Sequence, residues 1–172
     1  MGLKRLIEKL KLRYGSQETV ARTLRGMGVQ LGERCRIYTL NFGPEPWLIR
    51  IGNHVCIAPD VTFVNHGLNF VFQDKYESLT SFGKIDIRDN CQIGVRVTIL
   101  PNVTIGPNAI VGACSVVTKD IPPNSVAVGN PARVICSLDD YEPRCVAGHI
   151  AIPNDREAAR KVLEEHFWGD TR

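Results

Sequence analysis

"IGVRVTILPNVTIGPNAIVG", residues 93–112, carries an aliphatic residue at every sixth position, Ile93, Ile99, Ile105 and Val111, and glycine follows three of them. The spacing extends in both directions. First positions of the hexads are Ile51, Ile57 and Phe63, then Ile87, Ile93, Ile99, Ile105, Val111 and Val117. Fifth positions are Val55, Val61, Gly67, Cys91, Val97, Val103, Ala109, Ser115 and Ile121, mostly small or β-branched. An α-helix turns about 100° per residue and cannot keep residues six apart on one face. A single strand from 87 to 122 would keep the face but would be far too long, and Gly94, Pro101, Gly106, Pro107 and Gly112 punctuate it. Short strands joined by repeated turns satisfy both constraints. Each hexad then forms one side of a parallel β-helix, with its first residue inward and its fifth filling the corner. Cys35 and Cys91 fall in corner slots as small core residues.

A chain of 172 residues predicts one domain, and 44% hydrophobic with only 7% aromatic content, skewed to Ile and Val, favours strands. The net charge of +3 is modest, and no nucleic-acid partner is expected. Residues 1–36 hold nine Lys or Arg against three Glu, so the basic excess sits at the N-terminus. Charges interrupt Leu3 to Tyr14, and no apolar run approaches a membrane span, so a cytoplasmic protein is expected. Cys35, Cys56, Cys91, Cys114, Cys136 and Cys145 show no CxxC pair or metal spacing and read as reduced thiols.

The motif [Ile/Val]-Gly-x-x-[small]-x, the segment "VVTKDIPPNSVAVGNPARVI" at 116–135 and the upstream "CRIY…NFGPEPWLIRIGNHVCIAPDVTFVNHG" together resemble the hexapeptide-repeat acyltransferases. Sugar O-acetyltransferases of the galactoside and maltose type, and those of surface-polysaccharide gene clusters, are the nearest branch. The resemblance covers residues 29–138. It implies an all-β fold, a left-handed triangular β-helix with three hexads per coil, assembled as a homotrimer with active sites between subunits. Nothing in the spacing shows that hand. The expected organisation is an N-terminal basic helical cap at 1–30, the β-helix at 31–136, and a C-terminal connector and helix at 137–172.

Residues 69–86 break the pattern, since Asn69, Lys75 and Ser81 would point inward, yet the phase resumes at Ile87. This segment reads as a loop thrown out of the coil, and such loops on rigid scaffolds commonly build sites. Phe70, Phe72 and Tyr76 either contact a partner or pack back on the coil. At the loop's root stands His66, the fourth residue of its hexad, which should face outward. By position it matches the histidine that similar acetyltransferases use as general base. Imidazole suits the task because its unperturbed pKa is about 6.5.

The resemblance implies acetyl-CoA as acyl donor and carries its cofactor contacts onto Ala113, Thr118, Lys119 and Arg133. Cations there suit the phosphates of CoA. Two departures stand out: Gln92 where many relatives have tryptophan, and Cys136 where a second arginine is common. Asn41, Glu45 and Asn65 lie in segments that similar proteins place near the acceptor, a sugar or nucleotide-sugar. Cys114 is a less favoured nucleophile, and His54, His149 and His166 receive no role. Leu3, Leu6, Ile7 and Leu10 form an apolar stripe that caps the β-helix or, on a second reading, touches anionic membrane. Asn154 and Glu157 resemble a capping box opening the last helix, after an irregular connector at 138–153. Other readings are an amino-sugar N-acetyltransferase, an antibiotic-modifying acetyltransferase, and a noncatalytic β-helix module. A zinc enzyme of the γ-carbonic-anhydrase type would need three convergent histidines, which His54 and His66, twelve apart, do not supply.

Overall fold

The computed structural model describes Ile7, Leu10 and residues 13–169. The chain divides into two units, Met1–Tyr141 and Glu142–Arg172. In the first, helix α1 (Gln17–Gly26) leads to β1 (Gln30–Leu31) and β2 (Arg36–Ile37). A second circuit holds β3 (Ile49–Ile51), β4 (Cys56–Ile57) and β5 (Thr62–Phe63), after which β6 (His66–Leu68) and β7 (Thr80–Phe82) form an antiparallel hairpin. The third circuit is β8 (Ile85–Ile87), β9 (Gln92–Ile93) and β10 (Thr98–Ile99). The fourth is β11 (Val103–Ile105), β12 (Ile110–Val111) and β13 (Val116–Val117), followed by β14 (Ser125–Val128) and β15 (Arg133–Ser137).

Three sheets collect these strands: β1, β3, β8 and β11 in the first; β2, β4, β9, β12 and β14 in the second, with β15 added antiparallel; β5, β10 and β13 in the third. Successive circuits visit the sheets in the same rotation. Pairing aligns equivalent hexad positions, Ile51 with Ile87, Ile57 with Ile93 and Phe63 with Ile99. First-position residues from Ile51 to Val117 are all buried, as are the fifth-position residues apart from Gly67, which sits in the hairpin. Full burial of each Ile or Val contributes roughly 1.5–3 kcal/mol.

The glycine after each aliphatic residue has a steric cause. A Cβ on Gly94 would stand 2.6 Å from the Ala113 nitrogen, and one on Gly106 would stand 2.6 Å from the Pro123 nitrogen, so the next circuit's backbone occupies that space. Corners turn at the fourth position, where Arg34, His54, Asp60, Asn90, Arg96, Asn102, Asn108 and Cys114 adopt positive φ, as does Asn124 beyond the regular hexads. Asn and Asp dominate because they tolerate the left-handed region best after glycine. At the fifth position, Cys35 donates to Gly52 O at 3.1 Å and Cys91 to Gly106 O at 3.0 Å. Burial pushes both thiols up from their ordinary range, so they remain protonated donors.

Within the expected cap at 1–30, the contacts described with the core come from its later part. Helix α1 buries Val20 and Leu24 in the core, and Gln17 acts as a strand neighbour, its Oε1 accepting from Ile37 N at 2.8 Å and its Nε2 donating to Ile37 O at 3.3 Å. Leu3 and Leu6 of the expected stripe lie outside the described residues, while Ile7 and Leu10 are exposed. The looped-out segment also returns earlier than position 86, because Ile85 already pairs with Ile49. Asp86 follows it, buried and held by Arg88 at 3.1 Å and Arg50 at 3.5 Å.

The stretch expected to be irregular after 137 begins with a helix, α2 (Leu138–Ala147). Ser137 starts it, its Oγ accepting from Asp140 N at 3.1 Å, while Pro143 and the lack of an apolar stripe hid it from periodicity. In the second unit, α3 (Arg156–Trp168) is capped by Asp155, which accepts from Ala158 N at 2.8 Å, one residue beyond the expected Asn154. Among the described residues no helix is long and apolar enough to cross a membrane.

Candidate active site

His66 occupies a fourth position at which the coil does not turn. The chain instead runs into β6, where His66 pairs with Phe82 across the hairpin, and the imidazole stands at the hairpin's root. Its Nδ1 lies 2.8 Å from Glu45 Oε2, with side-chain exposures of 26% for His66 and 16% for Glu45. The Phe82 ring lies 5.7 Å from the imidazole at a tilt of 53°. An ionised carboxylate only accepts, so Nδ1 carries the hydrogen, and in the neutral ring the lone pair is on Nε2.

Local structure fixes the carboxylate. Phe42 stacks on Phe63 at 4.9 Å, and Pro46 is buried at the start of a 3-10 turn, Pro46–Leu48, whose N-cap is Glu45. Between them Gly43 takes φ 69°, and a Cβ there would meet Asn65 Oδ1 at 2.6 Å, so only glycine lets this segment close over Asn65. "NFGPEP" is thereby pinned against the third sheet.

Two residues assigned to the acceptor take other positions. Glu45 partners His66. Asn65 is 1% exposed, because alternation along the strand turns it inward when its neighbour His66 faces out, and neither side-chain amide atom has a hydrogen-bond partner. Asn41 is exposed beside them and bridges to Thr62, its carbonyl accepting from Phe63 N at 3.1 Å.

Ala113, Thr118, Lys119 and Arg133 are all exposed and surround β13. Ala113 stands at the corner before it, and Thr118 and Lys119 follow it directly. Ala132 N donates to Val116 O at 2.8 Å, which sets Arg133 at the same sheet edge. Strand β13 is two strands from β5 in the third sheet, so this cluster and the root of His66 lie about 10 Å apart along one sheet. Neither Lys119 nor Arg133 forms an ion pair among the described residues. Gln92 faces outward on the second sheet, and Cys136 is half-buried on β15. Among the described residues no group of three or more His, Cys, Asp or Glu could hold a metal ion.

The pairing of Glu45 with His66 escaped sequence reasoning. Glu45 lies 21 positions upstream in a segment without hexads, and nothing in its spacing points to His66.

Residues 84–119 match the bacterial transferase hexapeptide (six repeats) family. The protein CapG of Staphylococcus aureus is 44% identical over 146 residues, 83% of this chain and 83% of CapG. The galactoside O-acetyltransferase of Escherichia coli (strain K12) is 45% identical over 104 residues, 57% of this chain and 48% of that enzyme, so the chain spans about half of that relative. The structure of the hexapeptide-repeat acetyltransferase VCA0836 from Vibrio cholerae O1 biovar eltor, complexed with acetyl-CoA, matches with a TM-score of 0.58 at 27% identity, covering 77% of this chain and 84% of that one. The stacked hexads, the likeness to CapG over most of both chains and the acetyl-CoA-bound neighbour agree: the chain belongs to the hexapeptide-repeat acetyltransferase family.

Proposed function

We propose that the protein moves the acetyl group of acetyl-CoA onto a hydroxyl of a sugar or nucleotide-sugar, with His66 as general base. The observation that carries this reading is the Glu45–His66 pair at 2.8 Å, half-buried at the root of a hairpin that leaves the sheet also displaying Thr118, Lys119 and Arg133. Glu45 holds Nδ1–H, so Nε2 is the nitrogen that takes the acceptor's hydroxyl proton as its oxygen attacks the thioester carbon. The tetrahedral intermediate collapses by breaking the C–S bond. The CoA thiolate leaves and recovers the proton from the imidazolium, whose charge Glu45 stabilises meanwhile. Lys119 and Arg133 suit the phosphates of CoA.

A left-handed coil and a homotrimer, with the transfer site between neighbouring subunits, belong to the same reading, as does a role in surface-polysaccharide biosynthesis. The test is thiol release from acetyl-CoA with purified protein against a panel of sugars, nucleotide-sugars and amino sugars, followed by mass analysis of the product. An O-acetylated sugar is expected. Acetylation of amines alone would replace this reading with N-acetyl transfer.

A further inference from the structure

Two segments lead away from the Glu45–His66 pair and meet at one cavity. From Glu45 the 3-10 turn Pro46–Leu48 runs into β3. From Phe82, the partner of His66, Gly83 and Lys84 run into β8, and Gly83 N donates to Asn65 O at 2.7 Å. Strands β3 and β8 pair, with Ile49 opposite Ile85. At this junction lies a cavity of about 110 Å³, lined chiefly by Gln30, Trp47, Leu48, Arg50, Lys84 and Asp86. Trp47 is two residues from Glu45, a rise of about 4 Å in a 3-10 turn. Lys84 is two residues from Phe82, about 7 Å of extended chain. The cavity therefore adjoins the Glu45–His66 pair through both segments.

Asp86 gives this cavity an unmet polar requirement. Its side chain is 5% exposed, Arg88 and Arg50 both approach Oδ2, and Oδ1 has no hydrogen-bond partner. A buried acceptor left unpaired costs stability, and a ligand that brings a donor recovers it. Two guanidiniums already offset the carboxylate's charge, so a neutral hydroxyl suits Oδ1 better than an ammonium. Gln30 Oε1 accepts from Arg50 Nε at 3.0 Å, which commits the amide oxygen and leaves its N–H groups as donors. Lys84 forms no ion pair among the described residues. Trp47 is 59% exposed, and the negative face of an indole attracts the weakly positive C–H groups of a sugar ring.

We propose that this cavity seats one uncharged pyranose ring of the acceptor, with its C–H face on Trp47 and a hydroxyl donating to Asp86 Oδ1. Further hydroxyl oxygens accept from Lys84 and Gln30. A ring held there lies beside the Glu45–His66 pair and presents a hydroxyl to Nε2. This inference rests on the sugar-acceptor reading above.

Trp47 and Trp168 are the two tryptophans of the chain, so in Trp168→Phe protein the emission reports on Trp47 alone. Methyl glucoside, methyl galactoside and maltose are titrated without acetyl-CoA, with glucosamine as the charged control. At least one neutral probe should change the emission saturably, and glucosamine should bind several-fold more weakly than methyl glucoside. Lys84→Met and Asp86→Asn should weaken the bound probe by about threefold to tenfold. In turnover of that sugar, Trp47→Leu should raise the acceptor KM by a similar factor and leave KM for acetyl-CoA unchanged. Lys84 and Trp47 are exposed, so their variants carry the test should Asp86→Asn fail to fold. Emission that no probe alters would overturn the proposal, as would an unchanged acceptor KM in Trp47→Leu. Loss of oligomeric mass by Trp47→Leu in light scattering would assign the indole to a contact between copies and overturn it equally. Probes that bind through Lys84 and Asp86 while wild-type protein acetylates no sugar would uphold the cavity and count against the sugar-acceptor reading alone.

Discussion

Glu45 Oε2 lies 2.8 Å from His66 Nδ1 and joins a segment outside the hexads to the residue at which the coil is interrupted. The pair resolves the histidine's tautomer and, in the proposed mechanism, would give the imidazolium a fixed countercharge. Glu45→Gln keeps an acceptor for Nδ1–H and removes the charge. Its kcat should fall by roughly 10-fold to 100-fold, with KM for acetyl-CoA unchanged in steady-state assays. A variant with raised KM and unaltered kcat would return Glu45 to substrate binding.

Lys119 and Arg133 stand away from His66, where they would grip a part of CoA remote from the reacting carbonyl. Such a grip is equal in ground and transition states. Lys119→Ala and Arg133→Ala should each raise KM for acetyl-CoA by the equivalent of about 1–2 kcal/mol, with kcat close to wild type. Initial rates across a range of acetyl-CoA concentrations measure both.

Inside the coil, Ile93 is fully buried, while Val95, two residues on, is 41% exposed. Ile93→Ala should cost about 2–5 kcal/mol by denaturant unfolding, and Val95→Ala should stay within about 0.5 kcal/mol. Similar costs at both positions would contradict the inward assignment of the hexad's first residue.

That assignment was legible because a six-residue period has one structural meaning, and every first position from Ile51 to Val117 is buried as the period requires. Glycine at the second position was visible too, although its cause, the backbone of the next circuit against Gly94 and Gly106, is a three-dimensional fact. Residues outside the period were harder. The cap depends on Val20, Leu24 and Gln17, whose role is to imitate a strand neighbour, and no sequence rule announces that. Asn65 and Glu45 both read as polar residues near an acceptor. One turned inward by strand alternation, and the other was carried to His66 by a 3-10 turn.

Cys35 and Cys91 give the stability a pH dependence. Their thiols ionise at higher pH in the folded protein than in the unfolded chain, chiefly through burial, with the ordinary value near 9.0. Between the two values the folded state binds more protons, so stability falls as pH rises through that range. Melting temperature should decline from pH 8 to pH 10, and the decline should be shallower in Cys91→Ala. An identical slope in both proteins would show that other groups set the dependence.

The role of His66 is tested most directly by separating turnover from donor binding in His66→Ala. A general base acts in the transition state, so kcat should fall by roughly 100-fold or more, while calorimetry should find CoA affinity close to wild type. Wild-type turnover by His66→Ala on a verified hydroxyl acceptor would contradict the mechanism.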